Sequence, residues 1–372
     1  MRKIFLHIIG LLILTSVMSA CMDDDALRDF TRLHQNNKEG VFIINEGNFN
    51  NSNASLSFYQ RDKKTVENNV FYNTNALPLG DIAQSMNIQD SLAYIVINNS
   101  GKIYIFNKNT FQYSGKITDL SSPRYIHFVN KSKAYVSDLY NKAITIIDPL
   151  SQTIIGYIPL DNHQEDFYQH STEQMLQLDN KVYVNCWSYD DKILVINSLT
   201  DKLEDSISVG KQPNSMIIDQ NYRLWVLSDG GFKGSSFGQE KASLSCINLR
   251  NLKIEKQFIF DDIDASPSHL QTNITKDSLF FIYGNWSGNL ANSGIWAMSI
   301  YDQTLPQKAL IPQSDAMFYS LALDKKNSEL YISDAKDFSQ NGNVYRYSCK
   351  GNIIDTFKVG INPGNFYFMY EE

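Results

Sequence analysis

One short pattern recurs along the chain, and no feature restricts its fold more. An apolar residue, an aromatic one, further β-branched or apolar positions and a polar end appear as V-F-I-I-N at Val41, A-Y-I-V-I-N at Ala93, A-Y-V-S-D at Ala134 and V-Y-V-N-C at Val182. The pattern returns as L-W-V-L-S-D at Leu224, F-F-I-Y-G-N at Phe280 and L-Y-I-S-D at Leu330. Read as one column, its aromatics are Phe42, Tyr94, Tyr135, Tyr183, Trp225, Phe281 and Tyr331, spaced 41 to 56 residues apart. Self-similarity at such a period means repeated supersecondary units that bury their faces on one another.

Each unit holds four short strand-like runs. A polar loop follows the aromatic strand, then an alternating run such as Lys102 to Phe106 or Ala143 to Asp148. Turns come next, clearest at Asn107-Lys-Asn-Thr, Asp148-Pro-Leu-Ser and Asn197-Ser-Leu-Thr. Asn and Asp suit them because their side chains bond the backbone two residues on. A further β-rich run closes the unit, and the next first strand sits behind a lead-in that often contains proline: Pro123, Pro213, Pro267 and Pro363. There the fixed φ and missing donor are tolerated, since no ladder yet needs the N–H. Helical periodicity is almost absent. Such units predict an all-β, seven-bladed β-propeller over residues 40–372, with the aromatic column filling the gaps between blades. Unit one begins at its second strand, whereas N-F-Y-F-M at Asn365 to Met369 is one strand too many. Pairing the two closes the ring and hides both sheet edges.

Ahead of the repeats, Arg2 and Lys3 precede an apolar run, Ile4 to Leu14, too short to span a bilayer and read as a signal-peptide core. The stretch L-T-S-V-M-S-A-C resembles a bacterial lipoprotein signal, which implies removal of residues 1–20 and acylation of Cys21. Residues 21–39 then form a polar tether opening on Asp23 to Asp25, and this Cys-x-Asp-Asp resembles the export tag of Bacteroides-type surface lipoproteins. The lipid anchor is the only membrane attachment expected. A net charge of −7 without a Lys/Arg cluster excludes nucleic acid as a partner. Cys186, Cys246 and Cys349 are odd in number and lack C-x-x-C spacing, so they read as small buried hydrophobes rather than a disulfide framework or zinc site. His163 and His170 share one loop, yet without a carboxylate-defined geometry they read as unliganded, and no metal or cofactor is expected.

At Tyr135 to Asp148 and Ser208 to Met216 the chain resembles the YVTN/YncE-like seven-bladed propellers. Its first unit, F-I-I-N-E-G-N-F-N-N-S-N-A-S-L-S-F-Y from Phe42, resembles a branch of Bacteroides surface lipoproteins, the BtuG type. That resemblance implies an outer-membrane, surface-exposed lipoprotein that captures cobalamin and passes it to a TonB-dependent transporter.

In a propeller the loops joining second to third strands share one face with the lead-ins, and binding residues concentrate on loops held by a rigid scaffold. The loops offer Glu46, Asn48, Asn98, Asp138, Tyr140, Asn185, Trp187, Asp229, Phe232, Phe237, Asn285, Trp286, Asp334 and Phe338. The lead-ins add Arg124, Tyr125, His170, Asn214, His269, Phe318 and Tyr319. Amides mixed with aromatics suit a large molecule with an amide fringe and apolar faces, as a corrinoid is. No G-x-S-x-G, H-E-x-x-H or phosphate loop is present, so an enzyme is not expected. A glycan, peptide or protein ligand stays open, as does a calcium-dependent lactonase-like hydrolase using Glu46, Asp138, Asn185, Asp229 and Asp334.

Overall fold

The structure, a computed structural model, describes residues 39–160, 170–285, 287–288 and 290–370; residues 1–38 with Cys21, His163 and Trp286 lie outside them. Among the described residues, twenty-eight strands form seven antiparallel sheets of four. Six sheets use strands consecutive in sequence. The seventh takes its innermost strand from the end of the chain: β28 (Pro363–Met369) pairs with β1 (Gly40–Asn45), Phe42 opposite Tyr367 and Val41 opposite Phe368. The ring therefore closes through main-chain hydrogen bonds, as the spare terminal run predicts.

The innermost strands of the other sheets are β4 (Ala83–Gln89), β8 (Pro123–Asn130), β12 (Thr172–Leu178), β16 (Pro213–Ile218), β20 (Ala265–Thr272) and β24 (Phe318–Asp324). Each packs against the next, and β24 meets β28, which meets β4, so seven strands surround one axis. Asn107, Asp148, Asn197 and Asn248 cap the outer turns with side-chain oxygens that accept backbone N–H bonds two residues on.

Apolar side chains fill seven separate gaps, one between each pair of neighbouring blades. Burying one such ring contributes about 1.5–3 kcal/mol. Trp225 lies nearly parallel to Phe258, ring centroids 6.2 Å apart, in the gap between the fifth and sixth blades. All seven members of the aromatic column fill gaps between blades, as expected, and six of them face the following blade. The sixth blade departs in direction: Phe281 packs back beside Trp225 and Trp296, and its neighbour Phe280 packs forward on the seventh blade. Successive strand side chains point to opposite faces, so a shift of one position exchanges the two gaps. A second departure is a six-residue helix, Val70–Asn75, whose Val70 and Phe71 plug the gap between the first two blades. Six residues carry too little periodicity to announce a helix.

On the face where β1 begins, Arg61 and Asp324 form a buried ion pair at 2.7 Å, and Tyr370 donates to the same carboxylate at 2.8 Å. Glu39, the first described residue, joins them through Arg61 and Lys326. Both ends of the propeller are tied down there.

Candidate functional site

The opposite face, here the upper face, is built by one repeated contact. Among the described residues, six of the seven blades show it: the residue opening the loop between second and third strands donates its N–H to the carbonyl just before the innermost strand of the same blade. The pairs are Glu46 to Asn362, Asn98 to Ile82, Leu139 to Ser122, Trp187 to Ser171, Asp229 to Gln212 and Ala335 to Met317. Loops and lead-ins thus share one surface, as the repeat predicts.

Six innermost strands also slip register against their neighbours directly after their first residue at the upper end, and β20 does so farther in, after four paired residues. A bulge leaves one or two residues unpaired and re-aims them. The skipped residues are Gln84, Arg124 with Tyr125, Glu173 with Gln174, Asn214, His269 with Leu270, Tyr319 with Ser320, and Gly364. Most are polar, and they ring the upper end of the axis. Five residues named from sequence (Arg124, Tyr125, Asn214, His269 and Tyr319) are among them. Gln84 and Glu173 were missed: Ala83 and Thr172 stand where four of the lead-ins have proline, and the equal offset of the two residues into their strands was the available signal.

Hydrogen bonds link these groups across blades. Arg124 donates through Nε to Glu173 Oε1 at 2.7 Å and through Nη1 to Gln84 Oε1 at 2.6 Å. Tyr319 donates its hydroxyl to Glu46 Oε2 at 2.6 Å. A Cβ at Gly364 would lie 2.0 Å from Glu46 Oε1, so the missing side chain at this bulge is what admits the Glu46 carboxylate. Glu46 is crowded by protein yet not sealed from water. Desolvation raises its pKa to about 7, against the lowering effects of the Tyr319 bond and the Arg124 charge. Near neutrality it can therefore either donate or accept. Burial also raises Glu173, less the pull of Arg124; burial alone would lower Arg124, but Glu173 holds it above its ordinary value. Burial and then the Glu46 charge push the Tyr319 phenol well up, and burial brings His269 down to about 4, leaving it neutral.

Aromatics flank this polar mouth on two sides. Tyr189 stacks on Phe237 at 4.4 Å with Phe232 at 6.4 Å, in the loops of the fourth and fifth blades. Across the ring Phe338 stands edge-on to Tyr319 at 5.7 Å, and its carbonyl accepts from Asn48 Nδ2. Phe232, Phe237 and Phe338 are all exposed. Tyr140 is exposed at the third blade.

Other residues named from sequence stitch the scaffold. Asn98 donates to Pro123 O, Asn185 to Pro213 O and Asn214 to Pro267 O, each reaching the next blade. Asp138 accepts from the backbone of Ser122, Tyr140 and Asn141, and Asp334 from Met317 and Lys336. Asp229 accepts from Trp187 Nε1 at 3.0 Å, from Gln212 and from Gly231 N, and burial raises its pKa despite them. Asn285 donates to Asp262, Phe318 packs toward Tyr345 in the last gap but one, and His170 meets Asp190 at 2.7 Å. The sequence marked these positions as polar or aromatic without distinguishing those that hold loops from those that face solvent.

Seven four-stranded blades around a polar axis, closed by the terminal strand, define a seven-bladed β-propeller. Residues 39–368 match the family described as a domain of unknown function, DUF5074, and the chain belongs to it. No curated protein matches the chain. Among solved structures it is similar to a quinonprotein alcohol dehydrogenase-like protein from Bacteroides thetaiotaomicron, 14% identical, covering 91% of this chain and 78% of that one with a TM-score of 0.66. It is likewise similar to a 6-phosphogluconolactonase candidate from Bacteroides uniformis, 12% identical, 89% and 99% covered, TM-score 0.65. A Lactobacillus plantarum protein is 11% identical, 89% and 99% covered, TM-score 0.64. At these identities the likeness is one of fold.

Proposed function

We propose that this propeller is the capture module of an outer-membrane surface lipoprotein, anchored at Cys21, that binds cobalamin or a related corrinoid on its upper face and passes it to a TonB-dependent transporter. One observation carries the reading: the exposed rings Phe232 and Phe237 of the fifth blade, packed with Tyr189 of the fourth, share the upper face with the exposed Phe338 of the seventh, beside a polar mouth. A corrinoid has broad apolar faces for the rings to cover and a fringe of primary amides for Glu46, Arg124, Glu173 and Tyr319 to bond. Rigid aromatics give contact area at small entropic cost. Glu39 lies on the lower face beside Arg61 and Lys326, opposite the upper loops.

A lactonase-like hydrolysis would need several oxygen ligands around one cation. Asp138, Asp229 and Asp334 instead cap the loops of three different blades, which favours binding over bond cleavage.

Titrating the chain with cyanocobalamin tests the proposal by heat and by the corrin spectrum. Tight binding with a spectral change is expected, and Phe237→Ala or Phe338→Ala weakens it about tenfold or more, the scale of a buried aromatic anchor. Neither heat nor spectral change at micromolar concentration rejects it. A stoichiometric protein partner isolated without added small molecule would instead support the glycan, peptide or protein class of ligand.

A further inference from the structure

Apart from the mouth, one group of side chains among the described residues has the chemistry of a ligand set. His170, Cys186 and Asp190 each place a donor atom within 4.8 Å of the other two. Their backbone is held from both sides. Cys186 ends a strand whose last rung pairs it with Thr172, and Trp187 N donates to Ser171 O at 3.0 Å. Four residues on, Asp190 O accepts from Gln212 N at 2.8 Å and Asp191 O from Val209 N at 2.9 Å, fixing the loop to the fifth blade. The Asp190 carboxylate has Oδ1 on Asp191 N and turns Oδ2 to His170 Nδ1 at 2.7 Å. His170 itself sits at a positive φ of 47°, in the left-handed region.

We propose that His170 Nδ1, Cys186 Sγ and Asp190 Oδ2 form a binding site for a borderline-soft divalent cation of the zinc type. A sulfur, an imidazole nitrogen and a carboxylate oxygen suit zinc and discriminate against calcium or magnesium, which take oxygen. Three protein ligands leave a fourth position for water or an incoming donor. Donors at zinc stand about 2.0–2.3 Å from the ion, so the His170–Asp190 pair opens slightly as the ion enters between them. Cys186 loses its proton to solvent and binds as thiolate. His170 would bind through Nδ1 as the neutral imidazole and Asp190 as the carboxylate, so a divalent ion with the Cys186 thiolate gives a bound site of zero net charge, and the thiol proton leaves as the ion enters. Without an ion the thiol is pushed well above its ordinary pKa, first by burial and then by Asp190 and Glu173. A bound cation reverses that order. The site stands independently of the corrinoid reading.

Cobalt(II) reports on it, since a thiolate ligand gives a sulfur-to-cobalt charge-transfer band. The full chain, stripped with chelator, is expected to develop that band and saturate at one equivalent, and zinc(II) is expected to abolish it. Cys186→Ser loses the band, Cys246→Ser keeps it, and His170→Ala no longer saturates at one equivalent. Should Cys186→Ser fail to fold, His170→Ala and Asp190→Asn at the rim carry the test. A folded wild-type chain without the band, or a folded Cys186→Ser with it unchanged, overturns the site.

Discussion

Glu46 shows how one residue's setting is made by another's absence. Every other innermost strand carries a side chain at its bulge; the first blade has Gly364, and the Glu46 carboxylate takes the space. Folding prefers this acid protonated, because desolvation raises its pKa from 4.5 to about 7. The sign follows: the native state binds more protons than the unfolded chain between those values, so stability falls as pH rises through that window. His269, lowered to about 4, acts in the opposite sense over an overlapping range. Comparing wild type with Glu46→Gln by urea unfolding isolates the acid. The two are expected to be alike near pH 4, with the Gln variant the more stable by on the order of 2–3 kcal/mol at pH 8. A difference independent of pH contradicts the assignment. The sequence could show Glu46 to be polar and on a loop. Its partner Tyr319 is 273 residues away, and only ring closure brings them together.

Elements were largely legible because the repeat writes each strand seven times. Register within a strand was less so. In S-L-F-F-I-Y-G-N, two adjacent phenylalanines both fit the column, and nothing local decides which faces forward. The structure assigns them to different gaps, Phe280 to the last two blades and Phe281 to the pair before. Truncating either to alanine is expected to cost about 3–5 kcal/mol by chemical denaturation. Loss of order should localise differently: in Phe280→Ala, amides of β24 gain hydrogen exchange, whereas in Phe281→Ala those of β16 do. The same pattern in both variants would contradict the assignment. The bulges themselves left only a faint mark in sequence, a common offset into the strand. Side chains such as Gln84 and Glu173 stand out once the unpaired positions are known.

For the molecule as a whole, the ring is the device that converts scattered loops into one surface. Closure by β28, reinforced by the buried Arg61–Asp324 pair, holds Glu46 against Tyr319 and Asn48 against Phe338. Ring closure was legible from the unpaired terminal strand; the identity of a ligand was not, because it depends on where exposed rings stand relative to the axis. Hydrogen exchange with and without cyanocobalamin tests that surface most directly. Protection is expected at residues 46–48, 187–191, 229–238 and 335–338, and none at the lower turns around Asp148, Asn197 and Asn248. Protection confined to those lower turns, or to no segment at all, would contradict it.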